Sequence, residues 1–311
     1  MLEPILVLQD FNTLSLEDIR SRYRNMDITD QSGKTLLFYA VQSGRMDIFN
    51  LFLSKAIRIS ARDDSGETVI YECIRRQNFK MLLKLISLGL RLNNTNDHGK
   101  TPLHLAAESG NIEIIQVVLE NGGVFKKDIF GKTPLHDAVL NGKLDALKWL
   151  KNKINLPLHS KTNDGYTCLH LAATRFNIDL IKYLIESGLD VNALTNFYDT
   201  PLHFAVRHKN YEAISLLLKN MSFINIKNKI GVYAIDESGE DNKIKDLIEK
   251  HSYDPAYQEH LRKFQMINSI LNRDRKEYLK LKEDSFIEKT DIYGKKSSDY
   301  IKEYRLEKKF K

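Results

Sequence analysis

Two cysteines, Cys73 and Cys168, are all that 311 residues contain, too few for a disulfide framework and without the paired spacing of a thiolate metal site. A reducing compartment fits that scarcity. No apolar run approaches the roughly 20 residues that span a bilayer, so no membrane span is expected. The short run from Ile5 to Leu8 is too brief for the core of a secretory leader and has no basic approach. A chain that starts near Met1 and works in the cytosol is expected, with leaderless export left open. Also missing are a Walker-type loop, a Gly-Xaa-Ser-Xaa-Gly elbow, a His-Glu-Xaa-Xaa-His pair and a dinucleotide fingerprint. No catalytic, metal-ligating or cofactor-binding residue is therefore assigned, and no small-molecule substrate is expected.

Charge of one sign is also in short supply. The formal net charge is +6, but residues 241–311 hold 18 Lys and Arg against 14 Asp and Glu, so that segment carries four of the six surplus charges. The body of the chain is left close to neutral. Nucleic-acid binding by counterion release needs a concentrated basic face, and that expectation is disfavoured. In the basic segment the two signs interleave, as in Lys280-Leu281-Lys282-Glu283-Asp284, which reads as a solvated helix face.

With 42% hydrophobic and 28% charged residues the chain has the composition of a folded protein. Its length exceeds the usual size of a single core, which leaves several domains or an array whose core grows by addition. Internal repetition selects the array. Glycines recur at Gly33, Gly66, Gly99, Gly131, Gly165 and Gly231, with Tyr198 in the one missing slot, at a period of about 33 residues. Two residues after them stand Thr35-Leu36-Leu37-Phe38, Thr68-Val69-Ile70-Tyr71, Thr101-Pro102-Leu103-His104, Thr133-Pro134-Leu135-His136, Thr167-Cys168-Leu169-His170 and Thr200-Pro201-Leu202-His203.

Each position in this pattern has a physical task. Glycine supplies a turn residue of positive φ, threonine a hydroxyl to cap a helix, and proline a first helical residue whose missing N–H costs nothing. Gly44, Gly110 and Gly142 are expected to end that first helix in the left-handed conformation. Where no glycine stands, Asn78, Asn177 and Asn210 are expected to adopt it instead. A second helix follows, apolar at helical spacing, as in Ile112, Ile115, Val118 and Leu119, and Gly89, Gly122 and Gly188 close it.

The period and the Thr-Pro-Leu-His signature resemble the ankyrin-repeat family. The resemblance implies an all-α solenoid of stacked helix-turn-helix units joined by β-hairpin-like turns, with a helical C-terminal cap. Residues 1–29 are expected to form an N-terminal capping unit, with residues 14–24 as its second helix. Residues 30–250 then hold about seven repeats, and 251–311 two degenerate repeats or a cap, including a turn element at 291–295. Neighbouring units bury the faces that a single unit would leave wet. His104, His136, His170 and His203 stand one repeat apart, too far for a shared metal. In the family this histidine hydrogen-bonds the neighbouring repeat.

The resemblance also implies a non-catalytic scaffold or adaptor, monomeric, that binds a protein partner on its concave face and hairpin tips. Two groups of variable positions stand out. The tips, numbered one to six from Gly33 to Tyr198, turn aromatic at Ile129 and Phe130, Tyr166, Phe197 and Tyr198, the composition of an interface centre. The ends of the first helices carry Arg75, Arg76, Arg175, Arg207 and His208, and the guanidinium forks of the arginines suit carboxylates and phosphates alike. With the body of the chain close to neutral, they favour an acidic peptide over nucleic acid. A regulatory inhibitor, a host-directed bacterial effector using the same surface, or a nucleic-acid contact by the basic C-terminal region are the competing expectations.

Overall fold

The computed structural model describes residues 3–24, 28–54, 58–154, 157–259, 261, 262 and 265. It divides into two units: Met1–Leu189 with Leu194–Phe197, and Asp190–Ala193 with Tyr198–Lys311. The described residues of unit 1 form six helix pairs. These are α1 (Pro4–Thr13) with α2 (Leu16–Arg22), α3 (Leu36–Ser43) with α4 (Met46–Leu53), and α5 (Val69–Arg75) with α6 (Phe79–Ser87). Then come α7 (Pro102–Ser109) with α8 (Ile112–Glu120), α9 (Pro134–Leu140) with α10 (Leu144–Ile154), and α11 (Cys168–Ala173) with α12 (Ile178–Glu186). Unit 2 holds α13 (Pro201–Arg207), α14 (Tyr211–Lys219), a 3-10 turn at Ala234–Ser238 and α15 (Asn242–Ser252). Among the described residues no strand forms, and the hairpins between pairs show only the isolated bridges Thr29–Thr35, Arg62–Thr68 and Lys227–Tyr233.

In unit 1 the first helices pack in sequence, α1 on α3, α3 on α5, α5 on α7, α7 on α9 and α9 on α11. Each is eight residues or fewer after α1, too short to persist alone in water. Their stability comes from the layer between the two rows of helices. Leu103, Ala106, Ala107, Leu135, Ala138, Leu169 and Ala172 are fully buried there, against Ile115, Val118, Leu147 and Ile181 of the second helices. In unit 2, α13 packs on α14 and on the 3-10 turn, and α15 covers both.

In the N-terminal unit α2 falls within the residues 14–24 expected as a second helix, and Ile5 to Leu8 belong to α1, which buries Val7 and Phe11. Phe11 meets Tyr23 and Phe52 at ring-centroid distances of 5.5 Å each. One expectation is corrected: the asparagines after the short first helices are not left-handed, since Asn78, Asn177 and Asn210 have φ of −86°, −119° and −85°. They are N-caps, their side-chain oxygens accepting the N–H of Met81, Leu180 and Ala213. The left-handed slot lies one residue earlier, where Gln77 and Lys209 take φ of 54° and 52° in place of glycine. Glycine at positions 44, 110 and 142 is left-handed as expected. The helical patterns around Phe264 to Leu281 and the turn element at 291–295 lie outside the described residues.

Candidate interaction surface

The hairpins of unit 1 are built on a column of polar side chains. Oδ1 of Asp30, Asp63, Asn96 and Asp128 accepts the backbone N–H groups of the residues two and four positions on, at 2.8–3.1 Å. Each clamp closes the hairpin around its left-handed glycine. Successive tips are then bonded backbone to backbone: Asp64 N to Ser32 O (2.9 Å), Asp97 N to Ser65 O (2.9 Å), Ile129 N to His98 O (3.1 Å), Asn163 N to Phe130 O (2.9 Å) and Asn196 N to Asp164 O (2.8 Å). A Cβ on Gly131 would stand 2.5 Å from the Asn163 nitrogen, so glycine is required there for the close approach as well as for φ. Sequence reasoning missed this column, although Asp30, Asp63, Asn96 and Asp128 repeat at the same period, and Thr162 and Thr195 continue it through a hydroxyl.

The helix starts are equally regular. The N–H of Thr101, Thr133 and Thr167 donates to Nδ1 of His104, His136 and His170 at 3.0–3.2 Å, and each threonine hydroxyl lies within 2.9 Å of the same nitrogen. Nδ1 thus acts as acceptor, which leaves the proton on Nε2 to donate. His104 Nε2 reaches Lys132 O at 3.2 Å and His136 Nε2 reaches Ser160 O at 3.1 Å, both in the following repeat. Burial lowers the pKa of both imidazoles to about 4, so they are neutral cross-links rather than ligands or acids. Pro102, Leu103, Pro134 and Leu135 are buried beside them. In unit 2 the same arrangement joins Thr200 to His203 and His203 to Val232 O, with Pro201 buried. Cys73 and Cys168 are buried free thiols, and burial pushes both up, Cys168 to about 12.

On this frame the structure separates the residues singled out in the sequence. Ile129 and Phe130 are each 54% exposed on tip four, and Phe197 is 49% exposed on tip six. Lys132 Nζ lies 5.3 Å from the Phe130 ring centroid. Tyr166 is half-buried, edge-on to His170 at 6.4 Å between centroids. Arg175 is exposed, next to Phe176, itself an exposed aromatic that the sequence placed only beside the arginine. In unit 2, Tyr198 is exposed with φ of 61° and has Lys229 Nζ 5.4 Å from its ring.

Arg75, Arg76 and Arg207 meet anions within their own unit. Arg75 pairs with Glu67 at 2.8 Å and with Glu72 at 3.0 Å, and Arg76 with Glu72 at 2.9 Å. Glu72 is buried on α5, so its charge needs them. These residues line a shallow groove of about 480 Å³ with Gln42 and His98. In unit 2, Arg207 bridges Asp199 at 3.2 Å and Glu237 at 2.5 Å, and His208 Nδ1 lies 2.9 Å from Phe204 O. A further cluster escaped sequence reasoning altogether. Lys100 Nζ reaches Glu108 at 3.3 Å and Asp137 at 3.2 Å, and Asp137 is buried, its other oxygen without a hydrogen-bond partner. Burial raises the Asp137 pKa to about 6 against the opposing attraction of Lys100.

Among the described residues no group of His, Cys, Asp or Glu has the placement to hold a metal, and no helix is long and apolar enough to cross a membrane. A family model for ankyrin repeats in three copies matches residues 11–96, 82–158 and 152–228. Over 98 residues the chain is 37% identical to protein phosphatase 1 regulatory subunit 12A of Mus musculus, a stretch covering 31% of this chain and 9% of that protein. Ankyrin repeat and SOCS box protein 11 of Mus musculus is 33% identical over 90 residues, 29% of this chain and 28% of that protein. The chain therefore matches only a minor part of the length of either relative. Among solved structures, the human ASB11 ankyrin repeat domain is similar, with a TM-score of 0.63 and 25% identity over 70% of this chain and 98% of that one.

Proposed function

Because the chain belongs to the ankyrin-repeat family, whose repeats generally mediate protein–protein interaction, we propose that it is a non-catalytic binding module that holds a protein partner on the hairpin tips of unit 1. Phe130 and Phe197 are its anchors, and Ile129 and Tyr166 complete the contact. The observation that carries this reading is the half-exposure of Ile129 and Phe130 on backbone that is hydrogen-bonded to the tips on both sides. Apolar side chains held rigid in water lose little conformational entropy when a partner covers them. The arginine column is secondary, since Arg75 and Arg76 neutralise the chain's own Glu67 and Glu72.

A photo-crosslinking residue at Phe130, expressed in the cell that makes the protein, should yield one discrete protein adduct, whereas the same residue at the exposed Lys182 on α12 should yield none. The pair Phe130→Ala and Phe197→Ala should abolish capture of that partner while leaving the helical circular-dichroism spectrum unchanged. Adducts only from position 182, or capture undiminished by the double substitution, would overturn the reading.

A further inference from the structure

Four lysines surround the apolar tips of unit 1, and their surroundings differ from those of every arginine with a described partner there except Arg62. Lys127 Nζ donates to Lys161 O at 2.8 Å, and Lys161 Nζ donates to Leu194 O at 3.0 Å. Both partners are neutral carbonyls in the next repeat, so the ammonium charges are positioned but not cancelled. Lys132 sits over the Phe130 ring, and Lys126 is exposed on the same hairpin. No ion pair involves any of the four among the described residues. The acids of these two hairpins are Asp128, buried in its own turn clamp, and the exposed Asp164. The region therefore shows a local excess of positive charge around Ile129 and Phe130, on a chain whose body is nearly neutral.

We infer that the segment recognised by these tips is an extended acidic peptide carrying two apolar side chains, one for Phe130 with Ile129 and one for Phe197 with Leu194. This rests on the tips being the binding surface. The two apolar groups stand two repeats apart. At a helix-packing distance of about 8–10 Å per repeat that is about 16–20 Å, which an extended chain crosses in five or six residues. Carboxylates between the anchors then fall beside the uncancelled lysines, which supply the steering and the choice between partners. The rings of Phe130 and Phe197 suit a nucleobase as well as an apolar side chain, so the choice of a peptide rests on the near-neutral body of the chain, which lacks the concentrated basic face that counterion release from nucleic acid needs.

The test uses the full chain and a fluorescein-labelled peptide of about twelve residues, alternating glutamate and serine, with two phenylalanines about five positions apart. A second peptide replaces each glutamate by lysine, and a third probe is an oligothymidylate of similar length. Fluorescence anisotropy at low salt should show the acidic peptide binding at least about tenfold tighter than the basic one, with affinity falling as salt rises. The variant Lys126→Glu, Lys127→Glu, Lys161→Glu should reverse that preference, and Phe130→Ala should weaken both peptides. Equal binding of the two peptides, an unchanged preference in the charge-reversed variant, or no binding of the acidic peptide overturns the inference. Tighter binding of the oligothymidylate than of either peptide overturns it as well. Loss of peptide selectivity alone, with crosslinking at Phe130 intact, leaves the binding surface standing; loss of crosslinking removes both.

Discussion

Tips one to three and tips four to six of unit 1 share one backbone and carry opposite surfaces. Asp30, Asp63 and Asn96 clamp the first three hairpins as Asp128 clamps the fourth, and the same tip-to-tip bonds run through both halves. In the first half most charges are spent internally, Arg75 and Arg76 on Glu67 and Glu72 and Lys100 on Glu108 and Asp137, while Arg62 alone of these meets only carbonyls, those of Gly66 and Thr95. In the second half Lys127 and Lys161 meet only carbonyls, and Ile129, Phe130 and Phe197 face water. The residues that repeat build the frame, and those that do not repeat decide which part of it exposes apolar side chains and positive charge.

The sharpest way to break this comparison is through the frame. Gly66→Ala and Gly131→Ala should each lose at least about 2 kcal/mol in urea denaturation, since a left-handed alanine is strained and the Cβ meets the next tip. Gly44→Ala, left-handed but facing open space, should lose only about 1 kcal/mol. If Gly131→Ala behaved like Gly44→Ala, the ladder would not constrain the second half as it does the first.

A smaller effect should separate the two surfaces. Arg75→Gln with Arg76→Gln leaves Glu72 buried without its cations. About 1–2 kcal/mol of stability should be lost, a figure discounted because both arginine side chains are half exposed. Partner capture through Phe130 should be unchanged. Reduced capture with unchanged stability would move the binding surface into the first half.

The smallest expected effect concerns Asp137. Its folded pKa of about 6 stands above the ordinary carboxylate value, so folding opposes its ionisation at neutral pH and favours its protonated form below about pH 6. The shift from the ordinary value represents about 3 kcal/mol, and Asp137→Asn should recover about 1 kcal/mol of it at pH 7.5, because the amide gives up the Lys100 ion pair and remains a buried polar group. The gain should shrink as pH falls from about 6 to 4. A gain that grew on acidification would contradict the burial of this carboxylate. In the same window the wild type loses the contribution of His104 and His136. Their lowered pKa values make the neutral imidazoles part of the fold above about pH 6.5, and acidification towards 4 removes that support.

Much of the frame was legible in the chain because its determinants are local. A glycine at positive φ, a threonine before a helix and a histidine three residues on act within a few residues of one another, and the 33-residue period displays them again and again. The same locality explains the error at Asn78, Asn177 and Asn210. Asparagine suits both a left-handed residue and an N-cap, and only its register against Gly44 and Gly110, one position earlier, decides between them. The clamp column of Asp30, Asp63, Asn96 and Asp128 carried a periodic signal too, but acidic and amide side chains in turns are common enough to pass unnoticed.

The chain by itself determined the ankyrin repeats, the positions of their turns and helix starts, and the tips at which the side chains depart from the pattern. Those are consequences of backbone preference, repeated. Only the tertiary structure decided that Arg75 and Arg76 are consumed by Glu67 and Glu72 while Lys127 and Lys161 keep their charge, and that Tyr166 is half-buried where Phe130 is exposed. Whether a charge or a ring is satisfied depends on what the neighbouring repeat brings within a few ångströms of it, and sequence spacing does not measure that distance.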